Sequence, residues 1–384
     1  MHHPNRRRAA TSVLALALAT TLLAGCDNPP ATVKIGVAQP MTGNLAALGQ
    51  DMHQGVKLAV DELNKAGFKI KGKPVTLEVV AVDDRADAAT GKQVAQQLVD
   101  AGIVAVIGHL NSGVSIAAAP IYAEKHIAQL AISTNPRYTE LNLPTTLRLV
   151  ANDTLQAKAI GSYAGQLPAR NFAVLDDGTP YGKGLADGAA AQLPKANKTV
   201  ALRQSFDDKT TAFDELAVKL KGAGVDGIVS TLNDFQVVAL VEALRKAGHT
   251  QVALLGGDTL KTPTAFKAAG VLQGGLYATS PILEPREFPS GPRFLEAYRA
   301  AYKTDPAYGG HYSYDAMHVL ASAMRRAESA QPKAVLEALR AIDGYAPVTG
   351  SMKFNERGEQ RYGVISVYLA RNGLWEPQVR SDAW

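Results

Sequence analysis

Residues 103–113 read IVAVIGHLNSG: five apolar residues, four of them β-branched, then a glycine, then a short polar turn. β-Branched side chains pack well on a pleated surface, and an unbroken apolar run of this length suits a strand buried on both faces, as in a parallel sheet. The next residues, SGVSIAAAPIYAEK (112–125), suit a helix, so the stretch predicts strand, turn, helix, the half-unit of an α/β fold. A turn so placed lies at the carboxyl edge of the sheet, where open α/β folds bind ligands. Ser112 is the expected N-cap, with the N–H groups of Gly113 and Val114 pointing outward and the helix dipole behind them. Such a site suits a carboxylate or phosphate. The plainer role for Ser112 is to cap its helix and do nothing else.

The same alternation extends in both directions. Strands are predicted at 33–40 (VKIGVAQP), 75–84 (VTLEVVAVDD) and 127–133 (IAQLAIS), with amphipathic helices at 50–65 and 88–100. After ANDTLQAK (151–158) the pattern restarts: strands at 171–177, 199–206, 226–231 and 252–258, and helices near 183–193, 212–222, 235–248 and 261–269. The expected fold is therefore α/β, two Rossmann-like lobes with parallel central sheets. At 384 residues and 46% hydrophobic composition the chain can fill two such cores. From about 280 the grammar changes to a loop and helices near 291–303, 312–328 and 332–341, then a hairpin within 353–373 turning at 355–358.

The first residues have a different logic. Arg6, Arg7 and Arg8 precede an Ala/Leu-rich run from Val13 to Ala24, the pattern of a secretory signal and short for a membrane span. It ends LAGC (23–26), the lipobox of bacterial lipoproteins, which makes Cys26 the lipidation site and 26–32 a tether. Cys26 is the single cysteine, so an exported mature chain has no disulfide. Loss of 1–25 removes three arginines and no acid, taking the net charge from +5 to +2. Nucleic-acid binding has no support at that charge.

Competing chemistries at the 108–113 turn lack their signatures. A serine hydrolase would need a G-x-S-x-G elbow, whereas Leu110 and Asn111 precede Ser112; a phosphate loop would need G-x-G-x-x-G after the first strand or G-x-x-x-x-G-K-[ST], and the QPMTGNLAALG (39–49) that follows the first strand matches neither. His109 has no second histidine at ligand spacing and is expected to be structural; Asp83 and Asp84 are expected to solvate a turn. No metal or cofactor site is expected.

KIGVAQPMTGNLAALGQDMHQGVKLAVDELN, VVAVDD, VAVIGHLNSGVSIAAAPIYAE, AISTNPRYTE, DDGTPYGKGLAD and LLGGDTL follow one another in an order and spacing that resembles the leucine/isoleucine/valine-binding family, the type I periplasmic "Venus flytrap" receptors of ABC importers. The resemblance spans 33–372. It implies two lobes joined by a multi-strand hinge, 33–150 with 280–347 and 151–279 with 348–384, and a non-enzymatic protein that captures an amino acid or related small carboxylate. It implies ligand-binding roles for Ser112, Ser133 and Thr134 on the carboxylate, and for Tyr181 and Asp258 on the ammonium. Family aromatics fall here near Leu48 and Asn233, so the side-chain pocket differs; Phe235 or Tyr312 could restore aromatic surface.

The expected function is thus a lipid-anchored receptor on the periplasmic face of a Gram-negative inner membrane, delivering its ligand to an ABC permease driven by separate ATPase subunits. The alternatives are a ligand-sensing receptor for a signalling partner and, more remotely, an extracytoplasmic serine hydrolase using Ser112.

Overall fold

The computed structural model describes residues 29–383, so the signal segment and Cys26 lie outside the described residues. In the first lobe the alternation predicted from sequence is realised as β1 (Thr32–Gln39), α1 (Ala46–Lys65), β2 (Thr76–Asp83), α2 (Ala88–Asp100), β3 (Ala105–Gly108), α3 (Ser112–Ala123), β4 (Ala128–Ala131) and β5 (Thr146–Arg148). The sheet runs β2-β1-β3-β4-β5 with every pairing parallel. Period-two alternation sorts its side chains: Ile35, Val37, Ala105 and Ile107 enter one core, while Ala38 and Val106 enter another on the opposite face with Leu98 and Tyr122. Burial on both faces is why these strands are apolar throughout.

The second lobe repeats the plan with α4 (Asp153–Gln166), β6 (Asn171–Asp176), α5 (Pro180–Gln192), β7 (Thr199–Ser205), α6 (Asp214–Gly222), β8 (Gly227–Thr231), α7 (Asp234–Lys246), β9 (Ala253–Gly256) and β10 (Leu276–Ser280). The chain then returns to the first lobe with α8 (Gly291–Tyr302), α9 (Gly310–Ala327) and α10 (Pro332–Arg340), and α9 packs along α1 in the first core. It ends back in the second sheet with β11 (Ser366–Arg371) and β12 (Leu374–Arg380), giving the order β12-β11-β10-β9-β8-β6-β7. Only the pairings of β10 with β11 and of β11 with β12 are antiparallel in this sheet.

Both sheets share the 2-1-3-4-5 order, counting β6 as first in the second lobe. The order reverses between β1 and β3 in one lobe and between β6 and β8 in the other, and the carboxyl ends of those strands open a crevice in each. Two crevices face each other across the interlobe cleft.

Three differences from the sequence expectations have physical causes. The helix expected at 261–269 is two 3-10 turns, Asp258–Leu260 and Pro263–Lys267, because Thr262 before Pro263 is extended (φ −134°, ψ 163°) and a helix cannot run through it. The main hairpin turns at Asn372 and Gly373, both at positive φ as an Asn-Gly turn requires, while the 355–358 turn is closed by backbone hydrogen bonds such as Asn355 N to Glu359 O and a bridge between Phe354 and Gln360, without flanking strands long enough to make it the main hairpin. Met352 and Phe354 still belong to the first core, so the last crossing lies beyond 348.

Where the chain first leaves the first lobe, at the end of β5, Arg148 is fully buried. Its guanidinium donates to the carbonyls of Ser133 and Asn135, to the Thr139 hydroxyl and to Glu359, which approaches from the third crossing (Nε–Oε2 2.9 Å). Burial alone would raise the Glu359 carboxyl, but the Arg148 charge and hydrogen bonds outweigh it and hold the carboxyl below its usual range. Arg148→Met should therefore cost about 3–5 kcal/mol of stability, the range for breaking a buried pair from one side. Denaturant unfolding reads this directly, and a loss within error of zero would show that Arg148 is not the tie between strand and crossing.

Candidate ligand-binding cleft

A cavity of about 370 Å³ lies between the lobes, within the size range of small-molecule sites. The first lobe contributes Thr42–Leu45 after β1 and Asn111–Val114 after β3; the second contributes Thr179–Tyr181 after β6 and Asn233 and Phe235 at the start of α7. These are the loops at the two topological switch points. Arg85 of the first lobe and Lys209 of the second add positive charge to the wall, with Asp208 beside the lysine.

Local chemistry explains the wall. Gly108 has φ +150°, and a Cβ there would stand 2.2 Å from the Ala38 carbonyl oxygen, so only glycine lets β3 end against β1. The N-cap of α3 is Asn111, not Ser112, which is the first helical residue. Val114 and Ser115 donate back to the Asn111 carbonyl, so the first-turn N–H groups without a backbone acceptor among the described residues are those of Ser112 and Gly113. The Ser112 hydroxyl accepts from Asn135 N at 3.3 Å. In the second lobe Thr179 caps α5 by accepting from Gly182 N, with Pro180 at N1. Asn233 caps α7 in a box with Gln236 and donates to Asp177 at 3.2 Å.

Of the sequence-derived site residues, Ser112 and Tyr181 line the cavity. Ser133 lies beneath the turn instead: its hydroxyl meets Ser115 Oγ at 2.6 Å and donates toward the carbonyls of His109 and Leu110. Thr134 is buried, and its carbonyl accepts from Asp153 N at 2.9 Å. Asp258 is 4% exposed and sits behind Tyr181, whose hydroxyl donates to it at 2.9 Å. A Cβ on Gly257 would come within 2.3 Å of that hydroxyl, so glycine is what lets Tyr181 reach the acid.

Asp258 also accepts from Gln156 Nε2 (3.1 Å) and from the Tyr308 hydroxyl (2.7 Å). Burial raises its carboxyl, and the bonds from Tyr308, Tyr181 and Gln156 oppose that rise. Tyr308 packs in the first core while Asp258 belongs to the second lobe, so this hydrogen bond crosses the cleft. A second crossing bond runs from Asn135 Nδ2 to the Pro180 carbonyl (2.6 Å).

His109 is fully buried, with Nδ1 2.6 Å from Asp84 and Nε2 3.2 Å from the Tyr122 hydroxyl. Both ring nitrogens are thereby engaged away from Ser112. Asp84 is likewise buried, meeting this histidine with one oxygen and holding the turn before α2 with the other, which accepts from Ala86 N at 2.9 Å, while Asp83 accepts from Met41 N, Arg85 N and the Thr42 hydroxyl. Among the described residues no cluster of His, Cys, Asp and Glu could hold a metal ion.

Known proteins share this architecture. The profile of the periplasmic binding protein family matches residues 32–371. The chain belongs to that family. A Leu/Ile/Val-binding protein homolog 2 of Brucella abortus is 31% identical over 345 residues, 89% of this chain and 91% of the relative. A branched-chain amino acid transporter substrate-binding protein of Streptococcus pneumoniae, solved with isoleucine, superposes with TM-score 0.81 at 26% identity, covering 91% and 99% of the two chains. A leucine-binding protein of Thermotoga maritima superposes with TM-score 0.82 at 24% identity, covering 92% of this chain and 100% of the other.

The structure places the positions at which the resemblance implied altered pocket residues. Leu48 is 2% exposed within the first core, Asn233 is used as a cap and wall residue, and Phe235 supplies aromatic surface to the cavity. Tyr312 does not line the cleft cavity; its hydroxyl donates to the Pro281 carbonyl. Sequence reasoning missed Asn135, Asp153, Gln156 and Tyr308. Asn135 stands in ISTNP directly after the two residues chosen there, and the local signal for the others was only polar residues in ANDTLQAK and a tyrosine in PAYGGHY, none of which marks a site without the fold.

Tyr308→Phe keeps the ring packed and removes the crossing hydroxyl. Closure of the ligand-free protein should weaken by about 1–2 kcal/mol, the scale of one hydrogen bond to an acid. Small-angle X-ray scattering should then show a larger radius of gyration; an unchanged profile would show that this bond does not hold the lobes together.

Proposed function

We propose that this protein is the substrate-binding component of an ABC importer, closing its lobes on an amino acid of branched-chain type or a related small carboxylate and presenting it to an inner-membrane permease with separate ATPase subunits. The observation that carries the reading is the division of the cleft. Ser112 and the free first-turn N–H groups of α3 come from one lobe, and Tyr181 and Asp258 from the other. A carboxylate suits the first set through charge-assisted hydrogen bonds and the helix dipole; an ammonium suits the second. A zwitterion engaging both stabilises the closed form, because neither lobe offers both sets of contacts.

Ser133 and Thr134 serve in this reading as supports of the carboxylate wall, through the hydroxyl of one and the backbone of the other. The ligands named for the Brucella and Streptococcus relatives favour aliphatic amino acids, while Asn233 and Phe235 give this pocket its own selectivity. Among the described residues no helix is long and apolar enough to cross a membrane. Attachment to the periplasmic face of the inner membrane through Cys26, on the tether 26–32, would keep the receptor beside its permease. The lobes that close are taken as 33–150 with 280 to about 354, and 151–279 with the return strands from 366.

A thermal-shift panel of amino acids, their amides and aromatic acids tests the reading. A ligand present at a hundredfold its Kd adds about 2.7 kcal/mol to the folded state. Aliphatic amino acids should raise the melting temperature, and Ser112→Ala and Asp258→Asn should each remove most of that rise. A full shift retained in Ser112→Ala would put the carboxylate elsewhere, and conversion of the bound compound to product by purified protein would replace a receptor with an enzyme.

A further inference from the structure

Behind Tyr181, where α4 begins, three buried acceptor atoms have no donor among the described residues: both carboxylate oxygens of Asp153 and Oε1 of Gln156. Asp153 is 2% exposed and Gln156 is fully buried. Placed three residues apart, they share one face of α4, and the Gln156 amide nitrogen on that face bonds Asp258. Asp153 N donates to the Thr134 carbonyl, which sets the start of α4 against the floor of the first lobe. Two acids and an amide oxygen thus converge at the junction of the lobes, from α4 and from the turn after β9.

We propose that Asp153 and Gln156 complete, with Asp258, the subsite for a ligand's ammonium group, and that a proton held by the Asp153–Asp258 pair in the ligand-free protein is released when the ammonium binds. The inference rests on the amino-acid reading of the cleft and extends it. An ammonium carries three N–H donors, matching three unpaired acceptors that are costly to leave buried and unmade. A neutral or anionic ligand supplies no such set.

Electrostatics make the proton part of the same argument. Burial first, then the Asp258 charge, raises the Asp153 carboxyl to about 8, and the opposing pull of the nearby Thr134 hydroxyl and of the Arg148 charge does not offset this. Asp258 is raised by burial too, yet has donors from Tyr308, Tyr181 and Gln156 that favour its ionised form. The Tyr181 and Tyr308 hydroxyls facing the pair are themselves held far above their usual range, so neither supplies the proton. Two buried acids so unequally hydrogen-bonded hold one proton between them near neutral pH, on Asp153. The sign follows: with the folded carboxyl raised above 3.8, the native state binds more protons than the unfolded one, and stability falls as pH rises toward 8. A bound ammonium favours the ionised pair, so affinity must rise over the same window.

Calorimetry of the mature chain at pH 7, in buffers of different ionisation enthalpy, counts the protons. The ligands are the strongest binder among the standard L-amino acids and its des-amino acid, which for leucine is 4-methylpentanoate. The amino acid should release about one proton and bind about tenfold more tightly at pH 7 than at pH 6. The des-amino acid should release none. Asp153→Asn should abolish the release and the pH dependence and weaken amino-acid binding at least tenfold; if that variant does not fold, the buffer dependence of the wild-type protein decides alone. An amino acid that binds without proton release overturns this inference and leaves the receptor reading intact. Failure of every amino acid to bind overturns both.

Discussion

A guanidinium without solvent contact fixes the floor of the cleft. Arg148 ends an edge strand, and its donors orient the carbonyls of Ser133 and Asn135 while its charge meets Glu359. Desolvating such a charge costs several kcal/mol, and it is tolerated because each donor finds an acceptor. Its consequences reach the ligand wall within a few bonds. With its carbonyl pinned, Asn135 directs its backbone N–H to Ser112 and its side chain across the cleft to Pro180. The same residue that closes the first lobe's core therefore sets the position of a serine that lines the cleft cavity and of one contact that joins the lobes.

Duplication of one topology explains why the site falls between the lobes rather than inside either. Each sheet reverses its order at its first strand, and each reversal opens loops at the carboxyl ends, so two half-sites arise from the same rule. Because the chain crosses between lobes after β5, after β10 and again before β11, the half-sites face each other on a multi-strand hinge. The antiparallel β11 and β12 are what that return path adds to the second sheet. Folding thus supplies opposed loops, and the side chains at their tips supply specificity.

How much of this was legible in the sequence depends on range. IVAVIG was readable as a buried parallel strand because burial on both faces forces an apolar run, and the Thr179-Pro180 start of α5 follows local capping rules. Strand β5 was not readable, since three residues carry too little pattern and its decisive residue, Arg148, finds its partner Glu359 more than two hundred positions away. Ser133 shows the middle case. Its residue type suited a ligand donor, but polar atoms beneath a tight turn also need partners, and its hydroxyl is spent on the carbonyls of His109 and Leu110. His109 was legible as structural by the absence of metal or catalytic spacing, although the buried Asp84 that holds it resembled a surface turn residue.

Asp258 shows how closure and recognition draw on the same atoms. A carboxyl 4% exposed needs donors in any state, and it finds them in Tyr181, Gln156 and, from the other lobe, Tyr308. Any ligand that engages Asp258 therefore gains only the difference between its own contacts and those the protein already makes. A compound that merely replaces the Tyr308 hydroxyl gains little. Under the proposed function, one that also satisfies the acceptors at the start of α4, while its carboxylate meets the N–H groups of α3, gains on both lobes at once. In that proposal recognition of a zwitterion comes from polar atoms of both lobes, and the wall around Phe235 discriminates among the side chains it carries.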